Sequence, residues 1–166
     1  MLDNNNNNNK KSPTLSIHPP KKEMTLISMD NSIFASYAFY AALVALKLIF
    51  MAPLTGYFRM KNKAFANPED ASNFKMKVKI DPWSKESEAH LNDLENIPTF
   101  WILGFLFVIT NPSAGTALMC FRVFAVARIL HSIMYLLEIF PVRALCFVTG
   151  LLVNLYMGIS IVLYLL

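Results

Sequence analysis

Apolar and polar residues along this chain are sorted into long blocks rather than short alternations. Four apolar stretches, at about 31–58, 88–110, 116–137 and 142–166, are separated by one long polar segment and two short turns. Residues 97–121 and 144–166 carry no charge at all. A helix needs about 20 apolar residues to cross the hydrocarbon of a bilayer, so each stretch has the length of a span. Asn111-Pro112, with Gly115 behind it, marks a tight turn between the second and third stretches, and Pro141 marks the next one. The pattern predicts an all-α fold, a four-helix transmembrane bundle in which successive helices run antiparallel. The first stretch is the least regular, because Lys47, Pro53 and Gly56 interrupt it.

Residues 1–30 differ in kind. Asparagine fills positions 4–9, and Pro13, Pro19, Pro20, Lys10, Lys11, Lys21 and Lys22 follow. Such a composition buries too little apolar surface to offset the entropy of ordering, which predicts a disordered arm ahead of a membrane domain at 31–166. The arm lacks the charged, apolar and small-residue order of a cleaved signal peptide, so the first span is expected to serve as an uncleaved signal anchor. Composition agrees with a membrane destination: 55% of the 166 residues are hydrophobic, more than one soluble core of this size would use.

The net charge of +4 comes from 15 Lys and Arg against 11 Asp and Glu. These cations do not spread over one face as a nucleic-acid footprint requires, so no nucleic-acid partner is expected. Arg59, Lys61, Lys63, Lys75, Lys77, Lys79 and Lys85 instead crowd the segment 59–87, while the turn at Asn111 has none. The excess of Lys and Arg in cytoplasmic loops then places 59–87 in the cytoplasm and both termini on the lumenal side.

With that topology, ionisable residues collect at the cytoplasmic ends of the spans. Arg59 closes the first, His90, Asn92, Asp93 and Glu95 open the second, Tyr135 and Glu138 close the third, and Arg143 opens the fourth. Polar groups are costly in hydrocarbon and turn toward the bundle interior or a water-filled cavity, so a polar cavity open to the cytoplasm is predicted. Arg128 lies near the middle of the third span, too deep to snorkel, and shares a helical stripe with His131 and Tyr135. Glu95, one turn into the second span, is its expected counter-ion, which gives a structural Arg128–Glu95 pair. Cys120 and Cys146 sit in apolar stretches with neither a zinc spacing nor a disulfide framework, and no metal is expected. No nucleophile-elbow serine, HExxH, CxxC or phosphate loop occurs. A cavity mixing arginines, an acid and a tyrosine beside apolar walls suits an anionic polar ligand together with a lipophilic one, since arginine grips carboxylates bidentately.

Several strings carry a family resemblance: Phe65-Ala66-Asn67-Pro68-Glu69-Asp70, Ala89-His90-Leu91-Asn92-Asp93-Leu94-Glu95-Asn96, the run from Ala127-Arg128-Ile129 to Tyr135-Leu136, and Arg143-Ala144-Leu145. In this order, and over about Ile33 to the carboxyl terminus, the chain resembles the microsomal glutathione transferase 1 group of the membrane-associated proteins in eicosanoid and glutathione metabolism. The resemblance implies a homotrimer in the endoplasmic reticulum membrane, with the mitochondrial outer membrane as a second location. It implies glutathione as co-substrate, bound between subunits near the cytoplasmic face, and lipophilic electrophiles arriving from the bilayer. Arg59, His90, Asn92, Glu95 and Tyr135 would contact glutathione, Asp70 and Arg143 would lie beside its thiol, and Arg128 would pair with Glu95. A free thiol with a pKa of about 8.5 is only a few per cent thiolate at neutral pH, and a guanidinium beside it stabilises the charged nucleophile. Arg143 is the residue expected in that role. The implied activity is conjugation of the thiolate to electrophiles, with reduction of lipid hydroperoxides as a second reaction.

Two departures from the pattern matter. Where the family carries arginines ahead of its Ala-His pair, this chain has Lys85-Glu86-Ser87-Glu88, and acids there are expected to repel a ligand's carboxylates. Ala71 stands where the transferase has its redox-sensing cysteine, so activation by thiol modification is not expected there. Leu54-Thr55-Gly56 and Ala71 are similar instead to the prostaglandin E synthase branch, yet Ala144 replaces that branch's serine after the arginine. Two alternatives accompany the transferase reading: a glutathione-dependent eicosanoid synthase, and a member without catalysis that serves as a structural or regulatory membrane subunit.

Overall fold

The computed structural model describes residues 25–65, 68–73, 79–80 and 85–166. Most of the arm, residues 1–24, lies outside them. Four long helices form the molecule: α1 (Ser32–Asn62), α3 (Lys85–Ile109), α4 (Ala114–Leu136) and α5 (Phe140–Leu165). The polar segment between the first two holds β1 (Ala64–Phe65), α2 (Pro68–Asn73) and β2 (Lys79–Ile80), and the two strands pair in parallel over Ala64 with Lys79 and Phe65 with Ile80. That short pairing is the one β feature among the described residues, and the fold is all-α as expected.

Local chemistry sets the helix ends. Asn31 caps α1 by accepting a hydrogen bond from the Ile33 amide at 2.9 Å, and Ser113 caps α4 by accepting from the Thr116 amide. Asn111 follows α3 in the left-handed region at φ 51°, a conformation asparagine tolerates better than most residues, and Pro112 blocks any continuation. Pro141 falls in the first turn of α5, where a missing amide hydrogen costs nothing.

Helices α3 and α4 form the centre: each packs on the other and on both outer helices, whereas α1 and α5 do not touch. The core is aromatic. Phe100 of α3 stacks on Phe124 of α4 with ring centroids 4.1 Å apart and planes 4° from parallel, and Phe121 and Tyr37 pack edge-on around them. Tyr37 also donates to the Trp101 carbonyl at 2.8 Å, which ties α1 to α3 in mid-bundle. Gly104 makes this contact fit, since a methyl group there would stand 2.8 Å from the Tyr37 ring. Because the ring is held by its hydroxyl and by its aromatic neighbours, it has little room to yield. Gly104→Ala is expected to destabilise the protein by about 1–3 kcal/mol, read as a lowered thermal midpoint in detergent; an unchanged midpoint would show that the ring does yield.

Helices α1, α4 and α5 are each long and apolar enough to cross a membrane. Helix α3 has the length but carries Glu86, Glu88, Asp93 and Glu95 in its first half. Beyond Pro98 it is uncharged to its end. Pro98 has no amide hydrogen to give the Leu94 carbonyl, and nearby side chains bond carbonyls on either side, Asn96 to Asn92 at 2.8 Å and Thr99 to Glu95 at 3.1 Å. The chain is thus a four-helix membrane bundle whose second long helix, α3, is divided into a polar and an apolar half.

Candidate functional site at the polar end of the bundle

Alternating helix direction brings the end of α1, the start of α3, the end of α4 and the start of α5 to one end of the bundle. Contacts among their side chains confirm this. Arg59 of α1 donates through Nη2 to Ser87 Oγ of α3 at 2.8 Å, and the Tyr135 hydroxyl of α4 donates to Glu88 Oε2 of α3. The guanidinium of Arg143, at the start of α5, lies 4.2 Å from the centre of the Tyr135 ring and 5.4 Å from that of Phe140. Tyr135 is therefore the hub, with its hydroxyl on an acid and its face under a cation.

Between α1 and α3 at this end is a pocket of about 250 Å³, lined by Thr55, Arg59, Ser87, Glu88, His90, Leu91 and Leu94. Arg59 Nε and His90 Nδ1 are buried beside it and have no hydrogen-bond partner among the described residues. Buried polar atoms are almost always paired, and these two, one from each helix, stand without a partner among the described residues at the same pocket.

Deeper in the bundle lies a charged cluster. Arg128 and Asp93 are both 0% exposed, and Arg128 Nη2 donates to Asp93 Oδ1 at 2.8 Å and to Asn92 Oδ1 at 2.6 Å. Lys47 of α1 pairs with the other oxygen of Asp93, and Ser132 Oγ donates to the same atom at 3.1 Å. This corrects the expected Arg128–Glu95 pair: within the chain the counter-ion of Arg128 is Asp93. Asp93 shares the inward stripe of α3 with Ala89, Ile97 and Phe100, all fully buried, whereas Glu95 is exposed between Leu94 and Asn96. His131 Nδ1 lies 3.4 Å from Arg128 Nη2, and its ring packs on Tyr135 at 5.6 Å, linking the cluster to the hub above it.

Among the expected site residues, Arg59 and His90 come together on the pocket, Tyr135 and Arg143 form a stack, and Asn92 meets Arg128. Asp70 belongs to α2, but its side chain lies outside the description. Lys47 and Ser132 are contact-making residues that the sequence does not bring to the site, and the contacts of Asp93, Ser87 and Glu88 differ from the roles expected of them. Among the described residues, no three of His, Cys, Asp or Glu gather as a metal group would.

Residues 37–163 match the MAPEG family. This chain belongs to that family. Microsomal glutathione S-transferase 1 of Mus musculus is 41% identical over 138 residues, which is 78% of this chain and 89% of that protein. The Homo sapiens protein of the same name is 39% identical over the same shares. Prostaglandin E synthase of Homo sapiens is 33% identical over 123 residues, 72% of this chain and 81% of that protein. As a MAPEG member the chain keeps a polar bundle end, but Ser87 and Glu88 fill it with hydroxyl and carboxylate where the resemblance leads one to expect arginines. Each is already bonded within the site, Ser87 to Arg59 and Glu88 to Tyr135.

Proposed function

We propose that this protein is a membrane-embedded glutathione transferase. The observation that carries the reading is the Arg143 guanidinium stacked on Tyr135 at the polar end, beside a pocket holding Arg59 and His90. Stacking leaves the edge of the guanidinium, with its N–H donors, free to face a ligand thiol. Arg59, His90, Asn92, Glu95 and Tyr135 hold glutathione, and Arg143 and Asp70 face its sulfur. The cation at 143 stabilises the thiolate as its proton leaves to solvent. The sulfur then attacks an electrophilic carbon that enters from the lipid, forming the C–S bond as the leaving group departs with its electron pair. The same thiolate chemistry reduces a lipid hydroperoxide to an alcohol and water at the cost of two thiols joined as a disulfide.

The working form on this reading is a homotrimer in the endoplasmic reticulum membrane, with the loop between α1 and α3 in the cytoplasm. The outward position of Glu95 supports glutathione lying between subunits, since an exposed acid in this helix then meets a neighbour rather than lipid. A second reading, a glutathione-dependent synthase acting on a prostaglandin endoperoxide, draws support from the similarity to prostaglandin E synthase.

Equilibrium dialysis of glutathione against the detergent-purified protein, followed on the same sample by conjugation of a chloronitrobenzene, tests the proposal. Binding with turnover supports the transferase. Binding without conjugation, but with isomerisation of a prostaglandin endoperoxide, favours the synthase. Absence of binding at millimolar glutathione overturns both.

A further inference from the structure

Away from the polar end, the helices carry almost no charge: positions 32–46, 97–121, 123–127 and 144–166 have no charged side chain. Arg122 of α4 breaks that pattern, and it is exposed. Its Nε donates to the Tyr40 hydroxyl of α1 at 3.1 Å, and neither its two terminal nitrogens nor the Tyr40 hydroxyl hydrogen has a partner among the described residues. The ion pairs of those residues are made elsewhere, by Asp93 and Glu138. Helices α1 and α4 both start at this far end, and Tyr40 and Arg122 each stand eight residues, about 12 Å, into their helices. At 23 residues α4 is about 35 Å long against a hydrocarbon thickness of about 30 Å, so its first residues lie among headgroups. Helical side chains lean toward the helix N-terminus, which here lifts the guanidinium toward the headgroup boundary.

The same seam between α1 and α4 opens below this pair into a groove of about 440 Å³, walled by Leu43, Phe50 and Leu54 of α1 and by Ile129, Ile133 and Leu136 of α4. It begins one turn beyond Tyr40 and runs for about 16 Å along α1, half the hydrocarbon thickness. Its two polar wall residues, Lys47 and Ser132, are already engaged by Asp93. We infer that this face holds one anionic phospholipid, its phosphate on Arg122 and Tyr40 and one acyl chain along the groove. A guanidinium offers phosphate two parallel N–H donors, and the Tyr40 hydroxyl adds a third. The occupant carries net negative charge because Arg122 has no acid of its own; a zwitterionic lipid would bring an ammonium that offsets the phosphate. The seam lies between α1 and α4, apart from the flank of α3 where Glu95 is proposed to meet a neighbouring subunit, so it stays open to lipid. The site is independent of the glutathione reading.

The test is native mass spectrometry of the full-length protein in detergent, titrated with phosphatidylglycerol or with phosphatidylcholine of the same acyl chains. The wild type is expected to retain phosphatidylglycerol about tenfold or more tightly, the scale of a hydrogen bond to a charged group. Arg122→Gln removes the charge at an exposed position and is expected to bring the ratio to about one with the mass of the assembly unchanged, while Arg122→Lys restores part of the preference. Ile133→Trp fills the groove and is expected to lower phosphatidylglycerol retention severalfold with Arg122 in place. Equal retention of the two lipids by the wild type overturns the inference, as does a preference that survives in Arg122→Gln or retention that is unchanged in Ile133→Trp. Displacement of phosphatidylglycerol by an equal concentration of oleate overturns it in favour of a fatty acid. Dissociation of the assembly in Arg122→Gln overturns it in favour of a contact between copies of the chain.

Discussion

Replacing Arg143 with alanine is expected to abolish the ultraviolet absorbance of bound glutathione thiolate near neutral pH, and transferase turnover with it. Each unit by which a guanidinium lowers the thiol pKa corresponds to about 1.4 kcal/mol, so removing it reduces the nucleophile about tenfold or more. The fold is expected to survive, because Arg143 lies at a helix start on the aromatic rings of Tyr135 and Phe140 and is not an element of the aromatic core. Arg143→Lys separates charge from shape: lysine keeps a cation but not a plane that stacks on Tyr135, and partial recovery of the absorbance is expected. Full thiolate signal in the alanine variant would remove Arg143 from the reacting centre.

The largest effect on stability is expected at Asp93. Alanine there leaves Lys47 and Arg128 buried together with no carboxylate between them, and breaking a buried ion pair from one side costs about 3–5 kcal/mol. The variant is expected to unfold at a markedly lower temperature in detergent and to elute as aggregate. Asp93→Asn keeps acceptors for Arg128 and Ser132 while losing the charge, and falls between. Glu95→Ala, on the exposed side of the same helix, is expected to stay within about 0.5 kcal/mol of wild type. Reversal of that order would return Glu95 to the position of counter-ion.

This contrast between two neighbouring acids shows where the sequence was legible and where it was not. The four long helices and the turn at Asn111-Pro112 follow from apolar run length and from proline and asparagine chemistry, which act locally. The gathering of Arg59, His90, Tyr135 and Arg143 at one end follows from antiparallel succession alone. The partner of Arg128 does not, because it is set by helical register and not by nearness along a span. Counting from Ile97 and Phe100 back by turns reaches Asp93 and Ala89, so the inward stripe was written in the sequence. Lys47 was visible as a lone charge in the first stretch, but only packing shows that it reaches the same carboxylate from α1. The contacts of Ser87 and Glu88 were beyond reach, since they depend on how side chains from three helices meet.

The division of α3 also bears on how the protein is made. A segment with four acids in its first half is a poor substrate for insertion by itself, since a charge at mid-membrane is costly to any isolated helix. Chain order relieves that difficulty. Helix α1, bearing Lys47, leaves the ribosome before α3 does, so a counter-charge for Asp93 is already in the membrane when α3 emerges. Arg128 follows on α4 and closes the cluster on the other oxygen of the same carboxylate. Insertion of the second span is thereby a cooperative event, conditioned on the first, and the buried cluster that stabilises the finished bundle also sets the order of its assembly.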